Sequence, residues 1–380
     1  MDTNLDDIKN RIAELENLTA RTHEQNHELA VHYTAWATYL YDSEEGDWES
    51  IALFFGKAET LLITLLEQED DDEIRQHLSN VYLEWGGALY GFGDTESAVG
   101  IYQKAVDVLR PLDEAGNGEA KYDMAGLKLN LGIGYRELGE LQKAKTYLDE
   151  SFLDYRAVEK ISDDDTRVYM ATVSVQQGNL LHELGEPLEA VVDAYNRAMR
   201  LYVEVIEDQG QIVLERELAN VLIDRSLVTY EHWLGKKFES EEEQKSIIDN
   251  VLLDISRGIE LLEKQYREGN EPARHCLFHA VALQGKVMCD VENFADAKLV
   301  LDRAEHDFAD LCEEDDAFMM QLAMVYATRA IALMGLGDKE SGERDCLKGS
   351  ELVNRLLQSN DSDAEIQELR QQFQTLLKQL

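Results

Sequence analysis

The sequence predicts an all-α protein, a right-handed α-solenoid of antiparallel helix pairs, and three observations carry that prediction. Gly86, Gly132 and Gly178 fall 46 residues apart each time, and each opens the same run: an apolar residue three on, a glycine turn, then small and bulky residues on a second helix. The chain of 380 residues holds three prolines, each where a helix boundary is expected: Pro187 just after the Gly185 turn, Pro272 after the capping residue Asn270, and Pro111 past a helix end. No stretch alternates as a strand. A length that could fill two or three domains is expected to form a single solenoid domain over 1–380, because each repeat of such an array packs only on its neighbours.

The elements follow in order from this register. Leu5, Ile8, Ile12, Leu15 and Leu18 keep a helical stripe that predicts an N-terminal helix over 3–22. Seven helix pairs are then expected over 24–358. The first has Ala37, Leu40, Ile51, Phe55 and Ala58 around a lengthened turn. The second reads Trp85-Gly86, Leu89, Gly93-Asp94, Ala98, Tyr102 and Ala105, and the third reads Leu131-Gly132, Tyr135, Gly139-Glu140, Ala144, Leu148 and Ser151. The fourth has Gly178, Leu181, Gly185-Glu186 and Ala190, with Tyr195 and Ala198 one place late. In the fifth, Ser226 replaces the glycine, and an insertion from Lys236 to Glu243 precedes Val251, Ile255 and Gly258. The sixth has Val281, Gly285, Met288, Asn293, Ala297, Leu301 and Ala304, and the seventh Tyr326, Ala330, Leu333, Gly337-Asp338, Gly342, Cys346 and Gly349. Asp361-Ser362-Asp363 caps a last helix over 363–380, in which Ile366, Leu369, Phe373, Leu376 and Leu377 face one way and cover the final repeat.

The spacing has a physical reason. A small residue in the first helix of each pair, helix A, lets the backbone of the second, helix B, approach where they cross, and the bulky residue of helix B fills the groove beside the gap. Gly93, Gly139 and Gly185 end helix A, where a positive φ costs glycine nothing.

A small residue in helix A followed by small, aromatic and small residues in helix B resembles the tetratricopeptide repeat. The 46-residue step exceeds the ~34 typical of that family and overlaps the ~40–47 of HEAT and armadillo repeats. Small residues recurring in both helices of a pair favour tetratricopeptide-like pairs with lengthened helices. The resemblance implies a concave face lined by helix-A residues in three rows. The first holds Thr34, Leu83, Leu129, Val175, Ile223, Ala282 and Ala327, three before the small position; the second holds Thr38, Gly87, Ile133, Asn179, Leu227, Lys286 and Ile331, one after it; the third holds Tyr41, Tyr90, Arg136, His182, Tyr230, Cys289 and Met334, four after it. This lining is largely uncharged. It suits an apolar or amphipathic helix, or an extended peptide, with Tyr41, Tyr90 and Tyr230 as anchors.

Charge supplies the second argument: a balance of −41 with a pI near 4.4. The acid concentrates in the connections, at Ser43-Glu44-Glu45-Gly46-Asp47, Glu69 to Glu73, Ser162 to Asp165, Glu241 to Glu243 and Glu313 to Asp316. Several runs stand just before a helix, where carboxylates favour the positive end of the dipole. The field repels nucleic acid and anionic membrane surfaces and draws basic protein segments, although a generally acidic proteome would leave the same composition. Cys276, Cys289, Cys312 and Cys346 match no zinc-ribbon or CxxC spacing, so they read as buried or half-buried thiols of a reducing compartment. The start Met1-Asp2-Thr3-Asn4-Leu5-Asp6-Asp7 lacks a basic, apolar leader, and no run approaches ~20 uninterrupted apolar residues. A cytoplasmic protein without a membrane span is the expectation.

Two histidine motifs bear on chemistry. His23-Glu24-Gln25-Asn26-His27 is formally an HExxH, the zinc-hydrolase arrangement, yet Arg21 and Glu28 flank it with charge and no third ligand follows at a recognisable spacing. His275 and His279 form another i, i+4 pair beside Cys276, which is half of a structural zinc site. No P-loop, dinucleotide fingerprint, GxSxG elbow or kinase motif is present. The expectation is a non-enzymatic scaffold or adaptor with no metal or cofactor, binding a basic or amphipathic protein or peptide, with no nucleic-acid or membrane partner. The competing readings are a peptide-responsive regulator of tetratricopeptide type and a zinc-dependent hydrolase acting through residues 23–27.

Overall fold

The computed structural model describes residues 5–43, 46–159, 166–236, 240–313, 315–359 and 363–380. The expectations resting on residues 3–4, Glu44-Glu45, Ser162 to Asp165, Glu314, Asp361-Ser362, the Cys312 side chain and the middle of the 236–243 insertion lie outside them. Among the described residues the chain is all-α, with sixteen helices and two short 3-10 turns. It divides into two compact units, Met1–Leu201 and Tyr202–Leu380.

In the first unit α1 (Leu5–Glu16) precedes the pairs α2 (His23–Asp42) with α3 (Trp48–Gln68), α4 (Asp72–Gly91) with α5 (Thr95–Glu114), and α6 (Gly118–Glu137) with α7 (Leu141–Val158). α8 (Thr166–Glu183) pairs with α9 (Leu188–Gln209), within which the unit boundary falls. The second unit pairs α10 (Glu215–Gly235) with α11 (Glu241–Arg267), α12 (Glu271–Asp290) with α13 (Phe294–Phe308), and α14 (Asp316–Gly335) with α15 (Lys339–Ser359), and ends in α16 (Ala364–Gln379).

The small-to-bulky step fixes each crossing. A Cβ added at Gly86 would enter the Tyr102 ring, one at Gly132 would stand 2.6 Å from the Leu148 side chain, one at Gly178 2.9 Å from Tyr195, and one at Gly285 2.5 Å from Leu301. Tyr195 fills its gap from one place further on, so the added residue in the fourth pair is absorbed before the crossing.

The turns are equally regular. Gly93 donates to the Tyr90 carbonyl at 2.9 Å and Asp94 to Leu89 at 3.0 Å, the paired bonds of a Schellman ending, with Gly93 at φ +82°. The same two bonds close α6, α8, α12 and α14. Four of these five turns use glycine; after α12 the left-handed residue is Glu292, at φ +59°.

Helix starts use the acidic connections. Asp47, Asp71, Asp94, Asp315 and Asp363 each accept a backbone N–H of the helix they precede, and Thr22 and Gln25 form a capping box that opens α2. α1 therefore stops at Glu16, six residues short of the expected end, because the chain must turn into that box. Two expectations need correction. Pro111 lies inside α5, where in the last turn its missing N–H forfeits a single bond and the helix continues to Glu114. Asn270 stands at the N-cap of α12 without a side-chain capping bond; its amide donates to Gln265 Oε1 at 3.3 Å instead.

α14 is long and apolar enough to cross a membrane by length and composition. Its apolar residues are used in packing: Leu322, Ala323, Val325, Tyr326, Ala327 and Ala330 are all buried in the core cluster shared with α12, α13, α15 and α16. The same helix buries Arg329, at 5% exposure, between Asp345 at 2.6 Å, Glu305 at 2.6 Å and Asp302 at 3.1 Å. Cys289 and Cys346 are buried and Cys276 half-buried, and burial raises all three thiols above their usual range.

Candidate functional site: the helix-A face and a histidine cluster

Cavities open between successive A helices in both units. Between α2 and α4 a cavity of about 530 Å³ is lined by Val31, Thr34, Ala35, Thr38, Tyr39, Asp42, Leu62, His77, Asn80, Val81 and Glu84. Beside it one of about 220 Å³ includes Tyr41, Leu83, Gly87 and Asn130. In the second unit a cavity of about 230 Å³ lies among His279, Ala282, Leu283, Lys286, Gln321, Met324, Val325, Thr328 and Gln372. Val31 and Met324 are large apolar residues left 43% and 46% exposed. Burial, with Asp42 adding to it, raises the Glu84 carboxyl above the usual range, and burial lowers the His279 imidazole.

Of the residues placed on this face by register, Thr34, Thr38, Tyr41, Leu83, Gly87, Ala282 and Lys286 line cavities. Ile133, Val175, Asn179 and Leu227 are half-buried; Asn179 accepts from the Tyr195 hydroxyl at 2.5 Å, and Ile133 and Leu227 pack against core clusters. His182 is exposed. Leu129, Ile223 and Tyr230 are buried, at 8%, 3% and 3%, so their surface is spent inside the fold.

The row four after the small position has a shared structural job. Tyr41 packs on Gly91, Tyr90 bonds Glu137, Arg136 pairs with Glu183 at 3.5 Å, and Tyr230 bonds Asp290. Each partner sits five after the small position of the next A helix, so this row forms rungs between neighbouring helices near their turns. Burial and the Glu137 bond push Tyr90 up to about 12. The space for a ligand extends from these rows toward the helix N-termini, into rows six and two before the small position: Val31 and Ala35, Asn80 and Glu84, His279 and Leu283, Met324 and Thr328. The sequence carried that signal, since these positions continue the same helical stripe by one turn.

The histidine motifs resolve differently from their spacing. His27 Nε2 contacts Nδ1 of His77 on α4, with ring centroids 4.5 Å apart, and the Glu73 carboxylate joins them, the three ligand atoms lying within 4.8 Å of one another. His23, the other histidine of the HExxH, is not in this group, and its Nε2 is buried without a hydrogen-bond partner. Burial first, then His27, lowers His77 below the ordinary imidazole range. At the second pair, the His275 ring lies tilted against Phe318 and His279 Nδ1 meets Gln321 at 2.9 Å.

No family model matches the chain, and no curated protein does. Solved structures do. An aspartyl phosphate phosphatase F from Bacillus subtilis superposes with a TM-score of 0.53 at 11% identity, over 99% of this chain and 89% of that one. The apo form of RapI gives 0.52 at 13%, over 84% and 99%, and BtubC from P. vanneervenii gives 0.50 at 15%, over 69% and 90%. The fold is thus a tetratricopeptide-like helical repeat.

Proposed function

We propose that the chain is a non-enzymatic, cytoplasmic binding protein that holds a peptide or helical segment of a partner protein against its A helices. The observation that carries this is the cavity of about 530 Å³ between α2 and α4, repeated in the same register between α12 and α14. Each is lined by aliphatic side chains interleaved with polar and ionisable ones, a mixture that can seat apolar anchors and fix their orientation. Asp42 and Glu84 at the first cavity, together with a net charge of −41, favour a partner whose anchors are flanked by lysine or arginine.

Affinity capture from native extract with wild type, Val31→Asp and Met324→Asp tests this, with Leu299→Asp on α13 as a control at 70% exposure. The expected outcome is a specific partner lost with Val31→Asp or Met324→Asp and kept with the control. Partners retained by both cavity variants would sink the reading.

A further inference from the structure

We propose that His27, His77 and Glu73 form a binding site for one divalent transition-metal ion. Two neighbouring A helices supply the ligands: Glu73 and His77 lie one turn apart on the same face of α4, and His27 reaches across from α2. Two half-buried imidazoles with one exposed carboxylate make a donor set suited to zinc and its neighbours, whereas magnesium and calcium prefer all-oxygen shells.

The geometry needs little adjustment. Ligand atoms on a tetrahedral ion with bonds of ~2.0–2.1 Å stand about 3.3 Å apart. The three atoms here lie within 4.8 Å of one another, so a slight parting of the touching rings and rotation of the exposed Glu73 side chain would seat an ion. A shared cation also accounts for two ring nitrogens meeting with a carboxylate beside them, an arrangement that otherwise relies on one ring donating its single proton to the other. Three protein ligands leave a position open, and His77 also lines the α2–α4 cavity, so water or an acceptor atom in that cavity could complete the shell. The site differs from an HExxH centre because its second histidine comes from α4 and not from His23.

Calorimetric titration of the full chain with zinc, in excess magnesium to occupy exposed carboxylates, tests the site. The expected result is one equivalent bound, lost in His27→Ala and in His77→Ala, weakened in Glu73→Gln, and retained in His23→Ala and His275→Ala. Circular dichroism checks that each variant keeps its helix content. Cobalt(II) added to the unsubstituted chain supplies a readout that needs no variant: a tetrahedral ligand-field spectrum displaced by one equivalent of zinc supports the site. A cobalt spectrum unchanged from the aqueous ion, or a zinc equivalent that survives His77→Ala and disappears with His23→Ala, would overturn it.

Discussion

At Gly86 an added Cβ would collide with the Tyr102 ring, whereas at Gly100, exposed in the middle of α5, it would meet nothing within 4 Å. The two alanine substitutions should therefore differ in sign. Gly100→Ala should stabilise by about 0.5–1 kcal/mol by limiting the unfolded chain, while Gly86→Ala should destabilise, and Gly132→Leu should overpack its crossing by roughly 1–3 kcal/mol. Urea unfolding of the three variants checks the order. Glu292 offers the reverse case, a side chain held left-handed where the equivalent turns use glycine. Glu292→Gly should raise stability by about 1 kcal/mol, and an unchanged or lower denaturation midpoint would contradict that account.

Among elements, α13, α14 and α15 are tied through Glu305. Burial alone would raise its carboxyl, but bonds from Lys348, Arg329 and Tyr326 outweigh burial and hold it at about 2, below the usual 4.5. A depressed folded value means that this stabilisation is complete above about 4.5 and is lost as pH falls toward about 2. Chemical unfolding followed across that window should lose stability more steeply in wild type than in Glu305→Gln; parallel curves would refute the assignment. Helix starts allow a simpler check. Asp94 accepts from Ser97 N–H at 3.1 Å, and Asp94→Ala should cost about 1 kcal/mol.

For the molecule as a whole, 36 basic residues face 77 acidic ones, a formal excess of 41 negative charges that no cation neutralises. Added salt weakens both the surface ion pairs and the repulsion among the unpaired acids, and each exposed pair is worth only ~0–1 kcal/mol. Repulsion is the larger quantity here, so the melting temperature should rise between ~0.01 and ~1 M sodium chloride, as the Debye length shrinks from about 30 to 3 Å. A melting temperature that falls with salt would show that the ion pairs dominate.

How far the sequence reaches depends on whether an interaction is local. Gly86 and Tyr102, or Gly93 and Asp94, lie within one helix pair, so a fixed spacing encodes both the crossing and the turn. Asp47 and Asp71 act on the backbone a few residues ahead, which made part of the acidity interpretable as capping. The binding face was legible only in outline. Tyr90 and Tyr230 are engaged by Glu137 and Asp290, 47 and 60 residues away, and the open space extends a turn closer to the helix starts. The histidine cluster shows the same limit: residues 23–27 suggested a pair one turn apart, yet His27 meets His77 across 50 residues.

By itself the sequence determined the helix pairs, their crossings and their turns, because each rests on contacts repeated at one spacing. Only the tertiary structure decided which side chains of helix A are consumed by the next A helix, which remain open to a ligand, and which histidines converge. Those outcomes depend on how adjacent pairs stack, and the distance between stacked helices is set by packing that no single repeat contains.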